Sequence, residues 1–379
     1  MRKRRQLAAL TMSAVMMAAA LTGCLQAKET QTQAQTNASA AAEARKTETG
    51  EADAGQTDAG QTDAETQGST AQTVVKYSVT FPATGTQADG ANRLGELIKE
   101  CSEGRMAMEF YPSSQLGDKI PSMEGLRTGT IEMTECAATD LSNYSTVWSV
   151  LSLPYLWRDA EQAIGTLTDP EVRAVLEADA EEQGFVIISW CNLGSRSVLN
   201  TKRPIEKPAD MKGLRIRVME DAILAGTINA MGGSATPMAW SEVYTALQQG
   251  TIEGLENSAP VILANGMEEV AKYYSLTEQF IIPDPTFVSK VWFDKLSAED
   301  QAAIKEAGEK FTDAWNNEIW SNAMENAIKE IEEKGVAINE VDKDAFVDSV
   351  QPVIDNFLSS ADNGQKELYE LITKVREKY

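Results

Sequence analysis

The spacing of hydrophobic residues along the chain changes repeatedly from residue 74 onward. Within 75–81 every second residue is apolar, which predicts a strand with one buried face. Between 88 and 103 apolar residues recur at helical spacing, and Gly104 ends that pattern. The same two periods predict further strands at 106–111, 130–134, 185–190 and 212–219, and further helices at 159–183, 221–231 and 240–249. This alternation predicts an α/β fold whose strands form largely parallel sheets.

A longer helical pattern covers residues 297–334. Ser297 followed by Asp300 resembles a helix start, and Gly335 ends the pattern. A continuous helix of this length would extend about 55 Å, which is longer than one small lobe, so it could bridge two. The alternative is a pair of helices broken near Gly308.

Two short segments of the chain resemble each other: LRTGTIE at 126–132 and LQQGTIE at 247–253. Each is typical of a helix end, a glycine that tolerates positive φ, and a following strand. The match indicates either two lobes of similar wiring or one local structural solution used twice. Two α/β lobes would leave a crevice at the carboxyl ends of their strands, where ligands bind in such sheets.

The amino-terminal residues have the pattern of an export signal. A basic stretch at 2–5 precedes an apolar run at 7–21, which is short for a membrane span. Leu-Thr-Gly-Cys follows and resembles the bacterial lipoprotein box, in which Cys24 becomes the lipidated first residue. The alternative is an ordinary signal peptide with a chance cysteine. Residues 25–73 contain almost no large apolar side chains, which predicts a disordered tether.

Composition narrows the function classes. The 379 residues include no histidine, which excludes Ser-His-Asp and Cys-His catalysis and His-ligated metal sites. The four cysteines have no CxxC spacing, so we predict no structural metal and no cofactor. The formal net charge of −23 disfavours nucleic acid and anionic lipid surfaces as partners. An anionic ligand would therefore need a local, well-formed site.

The segment KGLRIRVM at 212–219 contains two arginines at alternate positions of a predicted strand. Arg215 and Arg217 therefore point to the same face, opposite Leu214, Ile216 and Val218. Such a pair indicates either a solvated face or an anion site.

Several stretches resemble the extracytoplasmic solute receptors of TRAP transporters, the DctP-type family. They occur in family order between residue 74 and about residue 320: YPSSQLGD (111–118), LRTGTIEM (126–133), LPYLWRD (153–159), SRSVLNTKRPIEKPADMKGLRIRVM (195–219), ATPMAWSEVYTALQQGTIEGLEN (235–257) and YYSLTEQ (273–279). The resemblance implies a two-lobe fold like that of periplasmic binding proteins, with a ligand cleft between the lobes and one long helix spanning both. It implies a receptor rather than an enzyme, and two integral membrane partner subunits, one small and one large.

We accordingly divide the chain into a signal peptide, a tether and two lobes. The predicted boundaries are 1–23 for the lipoprotein signal peptide, 24–73 for the lipidated cysteine and tether, 74–194 plus about 283–321 for lobe I, and 195–282 plus about 322–379 for lobe II. The protein is then expected to be exported and anchored by lipid at the outer face of the cytoplasmic membrane.

The resemblance also assigns the candidate ligand-binding residues. Arg217 occupies the position of the carboxylate-binding arginine of the family, and its planar guanidinium matches a carboxylate with two hydrogen bonds. Arg196 matches a second cleft arginine, Asn257 a cleft asparagine and Trp240 a cleft aromatic residue. Glu135, at the end of a predicted strand, is a candidate acceptor for ligand hydroxyls. The alternatives are surface charges for Arg196 and Glu135, a turn for Asn257 and inter-lobe core for Trp240.

Two segments depart from the family pattern and affect contacts to the non-carboxylate part of a ligand. PATGTQADG at 82–90 lacks the His-Pro of many relatives, and Gln279 replaces a common histidine. The segments around Arg196 and Asn257 are most similar to the branch that binds sugar acids such as hexuronates. The alternative functions are an exported enzyme acting on acidic sugars and a ligand-binding sensor or adhesin.

Overall fold

Alternating strands and helices, as predicted, form the structure, a computed structural model that describes residues 72–379. The signal peptide, Cys24 and nearly all of the tether lie outside the described residues. The strands are β1 (Thr73–Ser78), β2 (Met106–Tyr111), β3 (Met133–Glu135), β4 (Phe185–Cys191), β5 (Ser195–Asn200), β6 (Arg215–Val218), β7 (Ser234–Pro237), β8 (Gly254–Asn257), β9 (Tyr273–Ile281), β10 (Asp284–Ser289) and β11 (Ala337–Asn339).

Helices connect most of these strands and close the chain. They are α1 (Thr86–Cys101), α2 (Lys119–Thr128), α3 (Ala160–Thr168), α4 (Pro170–Glu182), α5 (Ala222–Ala230), α6 (Trp240–Gln248), α7 (Ala259–Ala264), α8 (Met267–Val270), α9 (Lys290–Phe293), α10 (Ala298–Ala314), α11 (Trp320–Glu333), α12 (Lys343–Ser360) and α13 (Asn363–Val375). Short 3₁₀ segments lie at Ala138–Asn143, Thr146–Ser152, Pro208–Met211 and Arg376–Lys378.

The strands form two mixed sheets. The first has the order β2-β1-β3-β10-β4, and the second has the order β11-β9-β5-β8-β6-β7. In each sheet a central strand, β1 or β6, pairs in parallel with both neighbours. Strands β10 and β5 then pair antiparallel with β3 and β8. The prediction of largely parallel sheets is wrong for this half of each sheet.

The antiparallel strands arise because the chain crosses between the sheets twice. It leaves the first sheet after β4 and enters the second at β5, and it returns from β9 to β10. Each crossing takes only two or three residues, 192–194 and 282–283. So short a connection cannot contain the helix that a parallel crossover needs.

The two repeated segments occupy equivalent places in the two sheets, which confirms the interpretation of similar wiring. Gly129 and Gly250 have φ angles of 72° and 69° and end α2 and α6. The following residue of each, Thr130 or Thr251, donates its backbone N–H to a carbonyl five residues earlier at 2.9 Å. This hydrogen bond closes the helix and turns the chain into β3 or β8.

The predicted long helix is continuous from Ala298 to Glu333, with one π turn at Trp315–Ile319. Its first part, α10, packs on α1 and β4, while α11 packs on α7 beside the second sheet. Gly308 does not break it. A Cβ atom at Gly308 would lie 2.1 Å from the carbonyl oxygen of Ile188, so the glycine permits close packing of α10 on β4.

The carboxyl-terminal helix packs on a different side from the predicted one. Leu368, Ile372 and Val375 of α13 lie in the hydrophobic cluster that also contains Trp148 of the first-sheet side. The predicted lobe II included these residues. Amphipathic spacing identifies a helix with one buried face, but it does not determine which of two cores that face covers.

Candidate functional site

A cavity of about 220 Å³ lies between the two sheets, at the carboxyl ends of their parallel strands. From the first-sheet side it is bordered by residues after β1, by the amino terminus of α2 and by the first residue of β10. From the second-sheet side it is bordered by β5, β6, β8 and the amino terminus of α6. Crevices at this end of α/β sheets are the usual place for a ligand.

Arg217 lies on the second-sheet wall and is 3% exposed. Its Nε and Nη2 atoms donate to the carbonyl oxygen of Met238 at 2.9 and 2.7 Å. Among residues 72–379 no carboxylate oxygen lies within 4.0 Å of its nitrogens. Burial lowers the pKa of Arg217 to about 10, with Glu256 opposing that shift. Nη1 and one N–H of Nη2 remain free to grip a ligand end-on.

Trp240 is the first residue of α6 and supports this arginine. The Cζ atom of Arg217 lies 5.3 Å from the centre of the indole ring, a cation–π distance. Trp240 borders the cavity and also packs against the hydrophobic clusters of both sheets. The structure thus combines its two predicted roles, since Trp240 belongs to the inter-lobe core and borders the cavity.

Arg196, on β5, also borders the cavity but is already neutralised. Its Nε and Nη2 donate to the carboxylate of Glu256 at 2.6 and 3.0 Å, and both side chains are almost fully buried. Burial lowers and Glu256 raises the pKa of Arg196, with a net increase. Nη1 of Arg196 has no hydrogen-bond partner among the residues that the structure describes, which leaves it available to a ligand.

Asn257 ends β8, is 4% exposed and borders the same cavity. Its Oδ1 accepts from the backbone N–H of Ser258 at 2.9 Å, which fixes the orientation of the amide. Nδ2 has no acceptor within 72–379. The side chain therefore offers one oriented N–H pair to the cavity.

Glu135 does not border the cavity. It is 6% exposed and accepts a hydrogen bond of 3.1 Å from the hydroxyl of Tyr77. Burial raises the pKa of its carboxyl to about 8, and the nearby charge of Asp284 raises it further while Lys119 opposes. Its position at a strand end was predicted, but its side chain points to the group behind the wall.

The first-sheet wall carries charged residues that the sequence did not indicate. Lys119 donates to Asp284 Oδ2 at 3.3 Å and lies 3.8 Å from Asp140 Oδ2. Burial raises the pKa of Asp140 to about 6, although Lys119 opposes this. Asp284 gave one signal, since it is an acid within the apolar stretch FIIPDPTFV.

Another contact joins the two sides at the cavity. Asp118 caps α2 by accepting from the backbone N–H of Lys119 at 2.8 Å. Its other oxygen accepts from the backbone N–H of Ser241, on α6, at 3.0 Å. Burial opposes ionisation of Asp118, but these N–H donors hold its pKa below the usual value. One carboxylate thus bridges the amino termini of two helices.

The two departures from the family pattern have different places in the structure. Gln87, within 82–90, borders the cavity. Gln279 lies on β9, is fully buried and accepts from Thr277 Oγ1 at 2.5 Å. It does not border the cavity.

Within 72–379 no helix is both long enough and apolar enough to span a bilayer.

Comparisons with known proteins agree with this geometry. The family model described as bacterial extracellular solute-binding protein, family 7 (DctP), matches residues 77–360. A solute-binding protein of Chromohalobacter salexigens is 35% identical over 283 residues, which are 74% of this chain and 82% of that protein.

Solved structures show the same architecture. A TRAP periplasmic solute-binding protein of C. salexigens with bound D-glucuronate matches with a TM-score of 0.75 and 32% identity, over 80% of this chain and 100% of that one. One from Sulfitobacter sp. NAS-14.1, with bound β-D-galacturonate, matches with a TM-score of 0.75 and 31% identity, over 80% of this chain and 99% of that one. The chain belongs to family 7 of the bacterial extracellular solute-binding proteins, the DctP family of TRAP-transporter solute receptors.

Proposed function

We propose that this receptor captures a sugar acid, a hexuronate being the favoured ligand, and holds its carboxylate against Arg217. One observation carries the proposal: a guanidinium that is 3% exposed borders a cavity and has no carboxylate partner among the described residues. A buried charge without a partner is costly, and a ligand carboxylate would complete the pair.

The surrounding donors support the same orientation of the ligand. Nη1 of Arg196 and Nδ2 of Asn257 border the cavity on the same wall as Arg217. Together they can satisfy the lone pairs of one carboxylate and an adjacent hydroxyl. These local donors offset the repulsion expected from a chain with a net charge of −23.

Two observations favour a sugar acid over other anions. The solved relatives from C. salexigens and Sulfitobacter contain D-glucuronate and β-D-galacturonate. In this chain the opposite wall carries Lys119, Asp140 and Asp284, which suit a hydroxylated ligand end. The indole of Trp240 provides a flat apolar surface for a sugar ring.

The proposal includes delivery to the small and large membrane subunits of a TRAP transporter, and no enzymatic activity. The alternative of an exported enzyme would use Asp140 and Asp284 as an acid–base pair. Incubation with D-glucuronate and its oligomers, followed by chromatography, separates the two: an enzyme converts them, and a receptor returns them unchanged.

We also propose lipid anchoring through Cys24, which lies outside the described residues. A Cys24→Ala variant should be released from membranes or remain unprocessed. Normally processed, membrane-bound variant protein would contradict the anchor without affecting the proposed ligand.

A thermal-shift series tests the ligand class. D-Glucuronate, D-galacturonate, succinate and pyruvate are each added to the purified protein at increasing concentration. A ligand at about 100 times its Kd adds about 2.7 kcal/mol to the free energy of unfolding. We expect stabilisation by the uronates at lower concentrations than by the other acids. Stabilisation by succinate alone would contradict the sugar-acid assignment.

A further inference from the structure

The two walls of the cavity carry opposite charges at equivalent positions. In the second sheet Val198 of β5 lies opposite Glu256, and in the first sheet Thr286 of β10 lies opposite Glu135. Two residues before each of these β-strand positions stand Arg196 and Asp284. Asp284 is therefore the structural counterpart of Arg196, and both side chains border the cavity.

Asp284 is 3% exposed and has an unsatisfied oxygen. Its Oδ2 accepts from Lys119 at 3.3 Å, whereas Oδ1 has no hydrogen-bond donor among residues 72–379. A buried carboxylate oxygen without a donor is unusual and indicates that a donor is supplied from elsewhere. Because Asp284 borders the cavity, a ligand is placed to supply it.

Asp140 repeats this arrangement. Its Oδ2 accepts from the backbone N–H of Ala137 at 3.0 Å and lies 3.8 Å from Lys119 Nζ. Its Oδ1 has no donor within the described part of the chain. Lys119 forms one hydrogen bond among those residues, to Asp284, so two of its three N–H groups remain for ligand oxygens.

We propose that Asp284 and Asp140 accept hydrogen bonds from hydroxyl groups at the ligand end opposite the carboxylate, and that they exclude dicarboxylates from the site. This inference rests on the proposed function, since it assumes that Arg217 holds the first carboxylate. A hydroxyl group can donate to a carboxylate oxygen, whereas a second carboxylate cannot.

The charge balance of this wall explains the exclusion. One lysine faces two carboxylates and already pairs with both. A second ligand carboxylate would enter a buried, net negative group and lose its water. Specificity would then come from a repulsive element on one wall and an attractive one on the other.

The test uses two six-carbon acids that differ at one end. D-Glucuronate has a single carboxylate, and D-glucarate has one at each end of the chain. Calorimetric titration of the wild-type protein should give a Kd for D-glucuronate at least about tenfold lower than for D-glucarate. Asp284→Asn removes the charge with little change of shape. It should weaken D-glucuronate about tenfold, and it should reduce the preference over D-glucarate to less than about threefold.

Asp300→Asn is the matched control. Asp300 also lies on the first-sheet side, pairs with Arg105 at 2.8 Å and does not border the cavity. Its substitution removes the same formal charge and should leave both dissociation constants within about twofold. An equal effect of the two substitutions would show that net charge alone governs selectivity, which overturns the assignment to Asp284.

The outcomes separate this inference from the proposed function. If the wild type binds no monocarboxylate sugar acid, the proposed function fails. If it binds D-glucuronate and D-glucarate equally, or if Asp284→Asn keeps the full preference, the assignment of Asp284 fails while the receptor function stands. Asp140→Asn provides a second test if Asp284→Asn does not fold, and it should reduce the preference in the same direction.

Discussion

The two halves of the cavity are built from the same strand pattern but use different charges. Glu256 and Glu135 each stand six residues after the glycine that ends the preceding helix, Gly250 or Gly129. Glu256 is paired with Arg196 through two hydrogen bonds of its carboxylate. Glu135 has Asp284 in the equivalent place and keeps a raised pKa.

This difference shows how a duplicated framework acquires a ligand with two unlike ends. The second-sheet wall pairs its buried glutamate internally and leaves Arg217 without a partner, so it attracts an anion. The first-sheet wall leaves carboxylate oxygens without donors, so it suits hydroxyl groups. The fold gives both walls the same geometry, and a few substitutions determine which chemistry each offers.

The largest expected effect breaks the internal pair of the second wall. Glu256→Gln leaves the guanidinium of Arg196 buried without a carboxylate, which should lower the free energy of unfolding by about 3–5 kcal/mol. Glu135→Gln should change it by less than about 1 kcal/mol at pH 7, because the raised pKa keeps that carboxyl mostly protonated. Urea denaturation of both variants measures the contrast. Equal losses would mean that the two glutamates are in the same state.

The second prediction concerns the unpaired arginine. Arg217→Ala should weaken sugar-acid binding by about 2–5 kcal/mol, roughly 30-fold to several thousand-fold. Arg217→Lys should lose most of the affinity, because an ammonium group cannot replace the two-point contact. Isothermal titration of D-glucuronate into each folded variant measures both changes.

Arg215→Ala is the control on the same strand. Arg215 is exposed and pairs with Glu253 at 2.6 Å, away from the cavity. It should change affinity less than about threefold, since exposed ion pairs contribute about 0–1 kcal/mol. Near-normal binding by Arg217→Ala would show that the carboxylate lies elsewhere.

Much of the fold follows from the sequence because its signals are local. Alternating apolar residues identify β1, and helical spacing together with Ser297 identifies α10, whose side chain cap is present. The direction of β10 and the partner of α13 depend on contacts far along the chain. Neither periodicity nor capping residues report such contacts.

The candidate site divides in the same way. Arg217 could be predicted because a second arginine on an otherwise apolar strand is unusual, and because the surrounding residues resemble a known family. Lys119 and Asp140 stand alone in a helix start and a 3₁₀ segment, where charged residues are ordinary. Their joint position with Asp284 depends on the pairing of β3 with β10, which no local pattern shows.

The third prediction uses pH to sharpen the contrast between the glutamates. The folded-state pKa of Glu135, about 8, lies above its ordinary value of 4.5, so the folded protein retains this proton longer than the unfolded chain. This contribution to stability is complete below about pH 4.5 and is lost as pH rises towards about 8. Glu135→Gln removes the titration and should flatten the decline of the urea midpoint between about pH 6 and about pH 8. An unchanged slope would place the titrating group elsewhere.

The smallest expected effect compares the two helix-ending glycines. Alanine at Gly250 would meet no atom within 4 Å, so Gly250→Ala should cost only the left-handed conformation, about 1–2 kcal/mol. At Gly129 the new Cβ would also lie 3.3 Å from Val291 Cγ1, which adds a steric term. Val291 is 41% exposed and can move, so this term should stay below about 1 kcal/mol.

A third substitution isolates that steric term. In a Val291→Ala background, Gly129→Ala should cost the same as Gly250→Ala, because only the shared backbone strain remains. Thermal unfolding of the single and double variants gives the comparison, with Gly226→Ala as a reference for a glycine inside a helix. Gly226→Ala should stabilise the protein by up to about 1 kcal/mol, since its new Cβ meets its nearest atom at 3.8 Å. If Gly129→Ala remains costlier without Val291, the two helix ends differ in their backbones, and the equivalence of the two sheets is limited to their wiring.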